Sequence, residues 1–285
     1  CIIKKLKHMD DVNWKVFKEG VAMISVKKVS KTYKVKQQER TNNIFKNLFK
    51  CEYRSITAVD NISFEVAQGE IVGLIGLNGA GKTTTLKMLS GLIYPSEGEI
   101  KVKGFVPHKL KNDYLREIGL VMGNKSQLWW DTSSYDSFEL EGQIYGLDSK
   151  TISDRVEYLS ELLDVKELLR TPVRKLSLGE RMKMEFILVL LHEPSILFLD
   201  EPTIGLDILS QKKMRDFLKD YNEKQCSTML ITSHNMKDVE ELCDRVIVID
   251  HGTIIYDGMV EELKKYSKED DFEVVITKLL ESREL

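Results

Sequence analysis

No stretch of this chain stays apolar for long: the longest unbroken run, Phe186 to Leu191, is six residues, against about 20 for a helix that spans a bilayer. A helical membrane span is excluded on that ground. Cysteine is scarce, with Cys1, Cys51, Cys226 and Cys243 showing no C-x-x-C spacing. That argues against a disulfide framework or a thiolate metal site and fits a reducing compartment. No apolar segment of signal length follows the lysines of the first 20 residues, so a secretory signal is not expected. An excess of basic charge is also missing. The 42 Lys and Arg against 45 Asp and Glu leave a formal charge of -3, so the footprint of a nucleic-acid binder is lacking and no nucleic-acid partner is expected. No unit of about 20 to 50 residues repeats, which sets solenoids and propellers aside.

What is present is material for a sizeable core, since 42% of the 285 residues are hydrophobic, enough for one large domain or two small ones. The most informative stretch is Gly76, Leu77, Asn78, Gly79, Ala80, Gly81, Lys82 and Thr83, followed by Thr84. It matches G-x-x-x-x-G-K-S/T between the apolar run Ile71 to Ile75 and a helix-like segment, the setting the pattern requires. Glycines at these places leave backbone N–H groups facing a concavity that fits phosphate oxygens, at the positive end of the following helix. Lys82 is expected to reach the β- and γ-phosphates, and Thr83 to offer its hydroxyl to Mg²⁺.

Short β-branched runs recur along the chain: Ile24 to Lys27, Val29 to Tyr33, Ile62 to Val66, Glu99 to Lys103, Arg116 to Met122, Ser195 to Glu201, Thr228 to Thr232, Arg245 to Ile249 and Ile254 to Tyr256. Helical patterns alternate with them, which predicts an α/β fold with a mostly parallel sheet covered on both faces. From Ser133 to Leu169 the alternation stops and Val156, Leu159, Leu162 and Leu163 fall on one stripe, predicting an inserted helical lobe. Between Lys36 and Ser55 five basic residues accompany Ile44, Phe45, Leu48 and Phe49 at helical spacing. This reads as a basic amphipathic helix, either at a membrane or partner surface or packed on its own domain. Met23 is a candidate natural start, and residues 1–22 are either a non-native extension or a short surface helix.

The run Ser195 to Leu199 ends in Asp200 and Glu201. Buried strands seldom end in two acids, because unpaired charge there is costly. Nucleotide hydrolysis needs this pair: the aspartate holds Mg²⁺ beside the phosphates, and the glutamate polarises a water. Leu176 to Glu180 lies 20 residues upstream, counted from Glu180 to Asp200, and His234 follows the next strand.

With these motifs, the chain from about Ile24 to Leu263 resembles the ATP-binding subunits of ABC transporters. The resemblance implies a P-loop ABC ATPase core with an antiparallel β subdomain besides the parallel sheet and the helical lobe. It divides the chain into an extension (1–22), an ATPase domain (23–263, with an insertion at 34–56 and the lobe at 131–172) and a short C-terminal tail (264–285). It also implies a head-to-tail dimer with a second ATPase subunit, ATP and Mg²⁺ as cofactors, an integral-membrane permease as partner, and a peripheral location on the cytoplasmic face of the cell membrane.

By the same resemblance, Asp200 is a metal ligand, Glu201 the catalytic base and His234 the switch histidine at the γ-phosphate. Ser177 and Gly179 of the signature bind the partner's γ-phosphate, Tyr33 stacks on adenine, and Asp207 belongs to the loop that couples the two ATP sites. Ser177 has a local reading too, since Ser-x-x-Glu is a capping box; both roles can hold. The chain departs from the family at Leu178 and Glu180, where Gly and Gln are usual. Asn124, one methylene shorter, stands where aligning Leu128 puts the Q-loop glutamine that touches Mg²⁺; either Gln127 substitutes as the metal contact or a water bridges from Asn124. Val121 to Asp131 and the insertion after Tyr33 look closest to ATPases paired with ABC-2 type exporter permeases. The competing reading is a soluble ABC ATPase acting on ribosomes, DNA or a signalling partner.

Overall fold

The computed structural model describes residues 22–37, 52–123, 125–267 and 271–281. Two sheets organise them. The strands β1 (Ala22–Gln37), β2 (Glu52–Ala67) and β4 (Glu97–Val102) form an antiparallel sheet in the order β2-β1-β4. The second sheet runs β5-β6-β7-β3-β8-β9, built from β5 (Ile118–Met122), β6 (Ile196–Asp200), β7 (Thr228–Thr232), β3 (Ile71–Ile75), β8 (Arg245–Asp250) and β9 (Thr253–Met259). Its pairings are parallel except β8 with β9. The expected mostly parallel sheet and antiparallel subdomain are both present.

Strand periodicity explains why both faces of the large sheet are dry. Along β6, Ile196 and Phe198 face one core, while Leu197 and Leu199 face the other. The first core joins the sheet to the antiparallel sheet and to α1 (Lys82–Leu89) through Leu86, Met88 and Leu89. The second packs the sheet against helices, chiefly α5 (Leu178–Leu190), α6 (Ile208–Gln225) and α7 (Met236–Leu242). A strand buried on both faces needs a continuous apolar run, which is what β6, β7 and β8 contain.

The helical lobe holds α3 (Ser134–Ile144) and α4 (Ser149–Leu162). Each starts with a side-chain cap: Ser133 with Asp136 for α3, and Asp148 on the Thr151 N–H for α4. The chain leaves and re-enters the core at adjacent points, because Val173 N donates to Thr132 O at 3.0 Å and Arg174 N to Trp130 O at 3.1 Å. The expected limits at 131 and 172 fall beside this closure.

Local expectations changed in four places. Arg116 and Glu117 belong to helix α2 (Asn112–Glu117), and strand begins only at Ile118. Leu162 is 46% exposed, whereas Ile152 takes a buried place beside Val156, Leu159 and Leu163. The polar segment from Lys36 to Ser55 is strand at both ends, with Lys36 paired to Tyr53 and Gln37 to Glu52; the residues at helical spacing, Ile44, Phe45, Leu48 and Phe49, lie outside the described residues. The expected boundary at 263 falls inside α8 (Val260–Ser267), and α9 (Phe272–Glu281) buries Phe272, Val275, Ile276 and Leu279 in the second core.

Candidate active site

The loop from Gly76 to Thr83 joins β3 to α1 in a shape that only small residues permit. At Gly81, φ is +114° and an added Cβ would sit 2.6 Å from Ala58 O; at Gly76 it would sit 2.0 Å from Ile249 O. Leu77, Asn78 and Gly79 are exposed at the loop tip, while Ala80 is buried beneath it. Lys82 folds back over the loop, its Nζ donating to Gly76 O at 2.7 Å and Leu77 O at 3.0 Å. Burial lowers the pKa of its ammonium, and Glu201 and Asp200 oppose that shift. A cation held against backbone carbonyls is ready to exchange them for phosphate oxygens.

Asp200 ends β6 almost fully buried. Thr232 Oγ1 donates to its Oδ1 at 2.5 Å, and Thr83 Oγ1 reaches its two oxygens at 3.2 and 3.3 Å. A cavity of about 270 Å³ opens here, lined by Asn78, Gly79, Gly81, Lys82, Thr83 and Thr84 from the loop and by Asp200 and Glu201. Gly123 and Ile204 complete its wall. A larger space of about 550 Å³ lies between α4 and α6, but none of these groups line it; the chemistry singles out the smaller one.

Glu201 follows directly in a left-handed conformation, φ +57°, which costs a residue other than glycine about 1–2 kcal/mol. Its backbone N–H is held by Thr232 O at 3.0 Å. Its Oε2 lies 2.6 Å from His234 Nδ1 and accepts the His234 backbone N–H at 3.3 Å. The carboxylate is thus oriented by an imidazole at the rim of the cavity.

The remaining expected residues do not line that cavity. Ser177 sits exposed at the start of α5, where it accepts from Glu180 N at 3.2 Å and its own N–H donates to Glu180 Oε2 at 2.8 Å. The capping box is therefore formed, and the helix end points to solvent. Gly179 lies against Leu206, an added Cβ falling 3.0 Å from Leu206 Cδ2. Asp207 caps α6 by accepting from Leu209 N and Ser210 N, each at 3.0 Å. Bonds to Ser210 hold its carboxyl below the usual range. Tyr33 is exposed on β1, with Lys31 Nζ 5.3 Å from its ring. Gln127 is turned away: its amide Nε2 donates to Leu120 O at 2.7 Å. Asn124 lies outside the described residues.

Two contributors, and one buried acid outside the cavity, escaped the sequence reading. Thr232 holds both acids; its only local signal was a hydroxyl closing an apolar strand two residues before His234. Gly123 donates its N–H to Asp200 O at 2.8 Å and closes the cavity wall. Glu185, a lone acid in the apolar run of α5, is buried at 5% exposure.

A glycine-rich loop on a parallel strand, a lysine and threonine at its helix, and two acids closing the neighbouring strand define a P-loop nucleotide hydrolase. Comparison with known proteins gives the family. The ABC transporter family model matches residues 59–204. The chain is 35% identical over 227 residues to the ABC transporter ATP-binding protein NatA of Bacillus subtilis (strain 168), covering 80% of this chain and 92% of that protein. It is 34% identical to the bacitracin transport ATP-binding protein BcrA of Bacillus licheniformis, covering 76% of this chain and 69% of that one. A solved ATP-binding subunit of an ABC transporter superposes with TM-score 0.75 at 23% identity, over 90% of this chain and 99% of that one. A dimeric ATP-binding cassette in a post-hydrolysis state, bound to ADP and Pi, superposes with TM-score 0.70 at 23% identity, over 83% of this chain and 98% of that one. The chain belongs to the ABC transporter family, as an ATP-binding, ATP-hydrolysing subunit. Among the described residues, no helix is long and apolar enough to cross a membrane.

Proposed function

We propose that two such subunits close head to tail on two ATP molecules and drive a separate ABC-2 type exporter permease from the cytoplasmic face of the cell membrane. The observation that carries this is one constellation: Lys82, Thr83, Asp200 and Glu201 share a cavity, His234 contacts Glu201 from outside its lining, and the capped Ser177 end of α5 faces outward. An outward helix start, even capped, turns the positive end of its dipole toward an anion presented by another molecule. The names of two relatives, the bacitracin transport ATP-binding protein BcrA of Bacillus licheniformis and the linearmycin resistance ATP-binding protein LnrL of Bacillus subtilis (strain 168), support an export role.

In this reading the loop N–H groups from Gly76 to Thr84 and Lys82 bind the phosphates. The Thr83 hydroxyl and Asp200 carboxylate, already in contact, are the oxygen donors a hard cation takes. Mg²⁺ commonly uses one or two carboxylates plus substrate phosphates, so the set fits it. When bound, the metal would neutralise phosphate charge. Glu201 accepts a proton from the attacking water, and His234 orients Glu201 and meets the γ-phosphate. Ser177 and Gly179 bind the γ-phosphate held by the other subunit, Asp207 fixes the start of α6 between the two sites, and Tyr33 stacks on adenine. Gln127 lies outside the cavity lining with its amide Nε2 on Leu120 O, so this reading rests no metal contact on it. Domain limits follow: the ATPase domain from 23 onward, with the lobe at 131–172 against the permease. Closure moves the permease only because ATP favours the closed state over the open one.

Affinity purification of the tagged chain from detergent-extracted membranes tests the pairing. The expected result is co-purification of a multi-span protein and ATP-dependent dimers by light scattering. Recovery on ribosomes or DNA, with no membrane protein, would replace this reading with the soluble one.

A further inference from the structure

The helix α5 is apolar from Met184 to Leu190 except for one acid, Glu185, and that acid is buried. Burial raises the pKa of its carboxyl, with hydrogen bonds pulling the other way. A buried acid is retained at a cost, so its partners matter. Its Oε1 accepts from the Ser126 hydroxyl, from Gln127 N at 2.8 Å and from Leu128 N at 3.4 Å. All three donors belong to one loop, the segment that leaves β5 at Gly123 and enters the helical lobe.

The two structures joined by this carboxylate have different duties. At one end of the loop, Gly123 lines the nucleotide cavity and is bonded to the Asp200 carbonyl. At its other end, Trp130 accepts from Arg174 N and lies under the Arg181 guanidinium, 5.4 Å from the ring centroid. The helix starts at Ser177, eight residues before Glu185, which is about 12 Å along its axis. The Glu185 contacts and one stretch of helix therefore give a short connection from this loop to the Ser177 end.

We propose that Glu185 is a positioning residue: its buried carboxylate locks residues 126–128, in the loop after β5, to α5, so that nucleotide in the subunit's own cavity sets where Ser177 is presented to the second subunit. This rests on the dimer reading above. It assigns to one residue of this chain the link between holding ATP and offering a surface to the other copy.

The test uses the full chain carrying Glu201→Gln to slow hydrolysis, with Glu185→Ala, Glu185→Gln or Ser126→Ala added. Fluorescent ATP titration of dilute protein reads nucleotide affinity, and sedimentation with ATP reads dimerisation. For Glu185→Ala the expected result is nearly parental nucleotide affinity with dimerisation weakened about tenfold or more, the scale of hydrogen bonds to a charged group. Glu185→Gln keeps an acceptor oxygen in the same shape and should recover most of the loss. A merely structural role would lower both readings together, and that outcome overturns the proposal, as does parental dimerisation of Glu185→Ala. Should that variant fail to fold, Ser126→Ala removes only one donor; it should weaken dimerisation by less and leave nucleotide affinity alone, and parental dimerisation there overturns the proposal equally. If Glu201→Gln by itself stays monomeric with ATP, the dimer reading falls and the positioning role with it.

Discussion

The Leu178 side chain occupies the space that any side chain at position 205 would need: a Cβ built on Gly205 lies 2.2 Å from Leu178 Cδ2. Signature turn and post-strand loop are therefore shaped to each other, with the larger residue on one side and glycine on the other. Gly205 also has φ +75°, so Gly205→Ala meets both a clash and a strained backbone and should cost about 1–3 kcal/mol. Adding Leu178→Ala should return part of that loss, as residues in contact are not additive. Denaturant melts of the two single variants and the double variant measure the coupling; strict additivity would contradict the packing relationship.

Ser177 both caps α5 and, in the proposed dimer, meets phosphate. Ser177→Ala should lose about 1 kcal/mol of cap energy, a small shift in melting temperature, but far more of the ATPase activity. Ser177→Asp separates the roles, since aspartate caps as well as serine but repels phosphate. Its melting temperature should stay near parental while ATP-dependent dimerisation is abolished. Parental ATPase activity in Ser177→Asp would leave capping as the only role.

Glu201→Gln should cut ATP turnover on the order of 10²- to 10⁴-fold, the usual worth of a general base. His234→Ala should fall in the same direction, and the double variant should be little worse than Glu201→Gln alone, because paired groups lose function as a unit. Steady-state phosphate release measures all three. Multiplicative losses would mean that the 2.6 Å contact between them has no part in turnover.

His192 gives the fold a pH response away from the cavity. Its Nε2 lies 3.1 Å from Ile118 O, its ring stacks on Tyr145 at 3.9 Å, and its buried Nδ1 has no hydrogen-bond partner among the described residues. Burial depresses its pKa below the ordinary value of 6.5, with Arg155 and Arg116 also acting downward. The unfolded chain then binds the proton more readily than the folded one. Stability is whole above pH about 6.5 and is lost as pH falls through the folded pKa. Melting temperature should drop between pH 7.5 and 5.5, and His192→Phe should flatten that drop; identical slopes would remove His192 as its source.

The parts legible in the sequence are those written in short, contiguous spacing. The loop from Gly76 to Thr83, the acids closing β6 and the capping box at Ser177 each follow from residues within a few positions of one another. The layered fold was legible because β6, β7 and β8 are apolar on both faces. Pairing across distance was not. Thr232 reaches Asp200 across two neighbouring strands, and Glu185 reaches a loop 57 to 59 residues away, relations that no periodicity encodes. The strand continuing through Val35 and Arg54 was hidden because polar residues suit either a two-stranded ribbon or a helix. Asp207 was named for the dimer alone, although Asp-x-x-Ser is also a local helix start.

The hydrogen bonds that close Thr132 on Val173 and Trp130 on Arg174 make the helical lobe a module with a single doorway. Its entrance and exit adjoin, so the polypeptide between them can be lengthened, shortened or traded for a relative's version without re-threading the sheet. On the proposed docking of the lobe to a permease, such grafts would redirect the subunit to a different membrane partner while its nucleotide cavity is left as it stands.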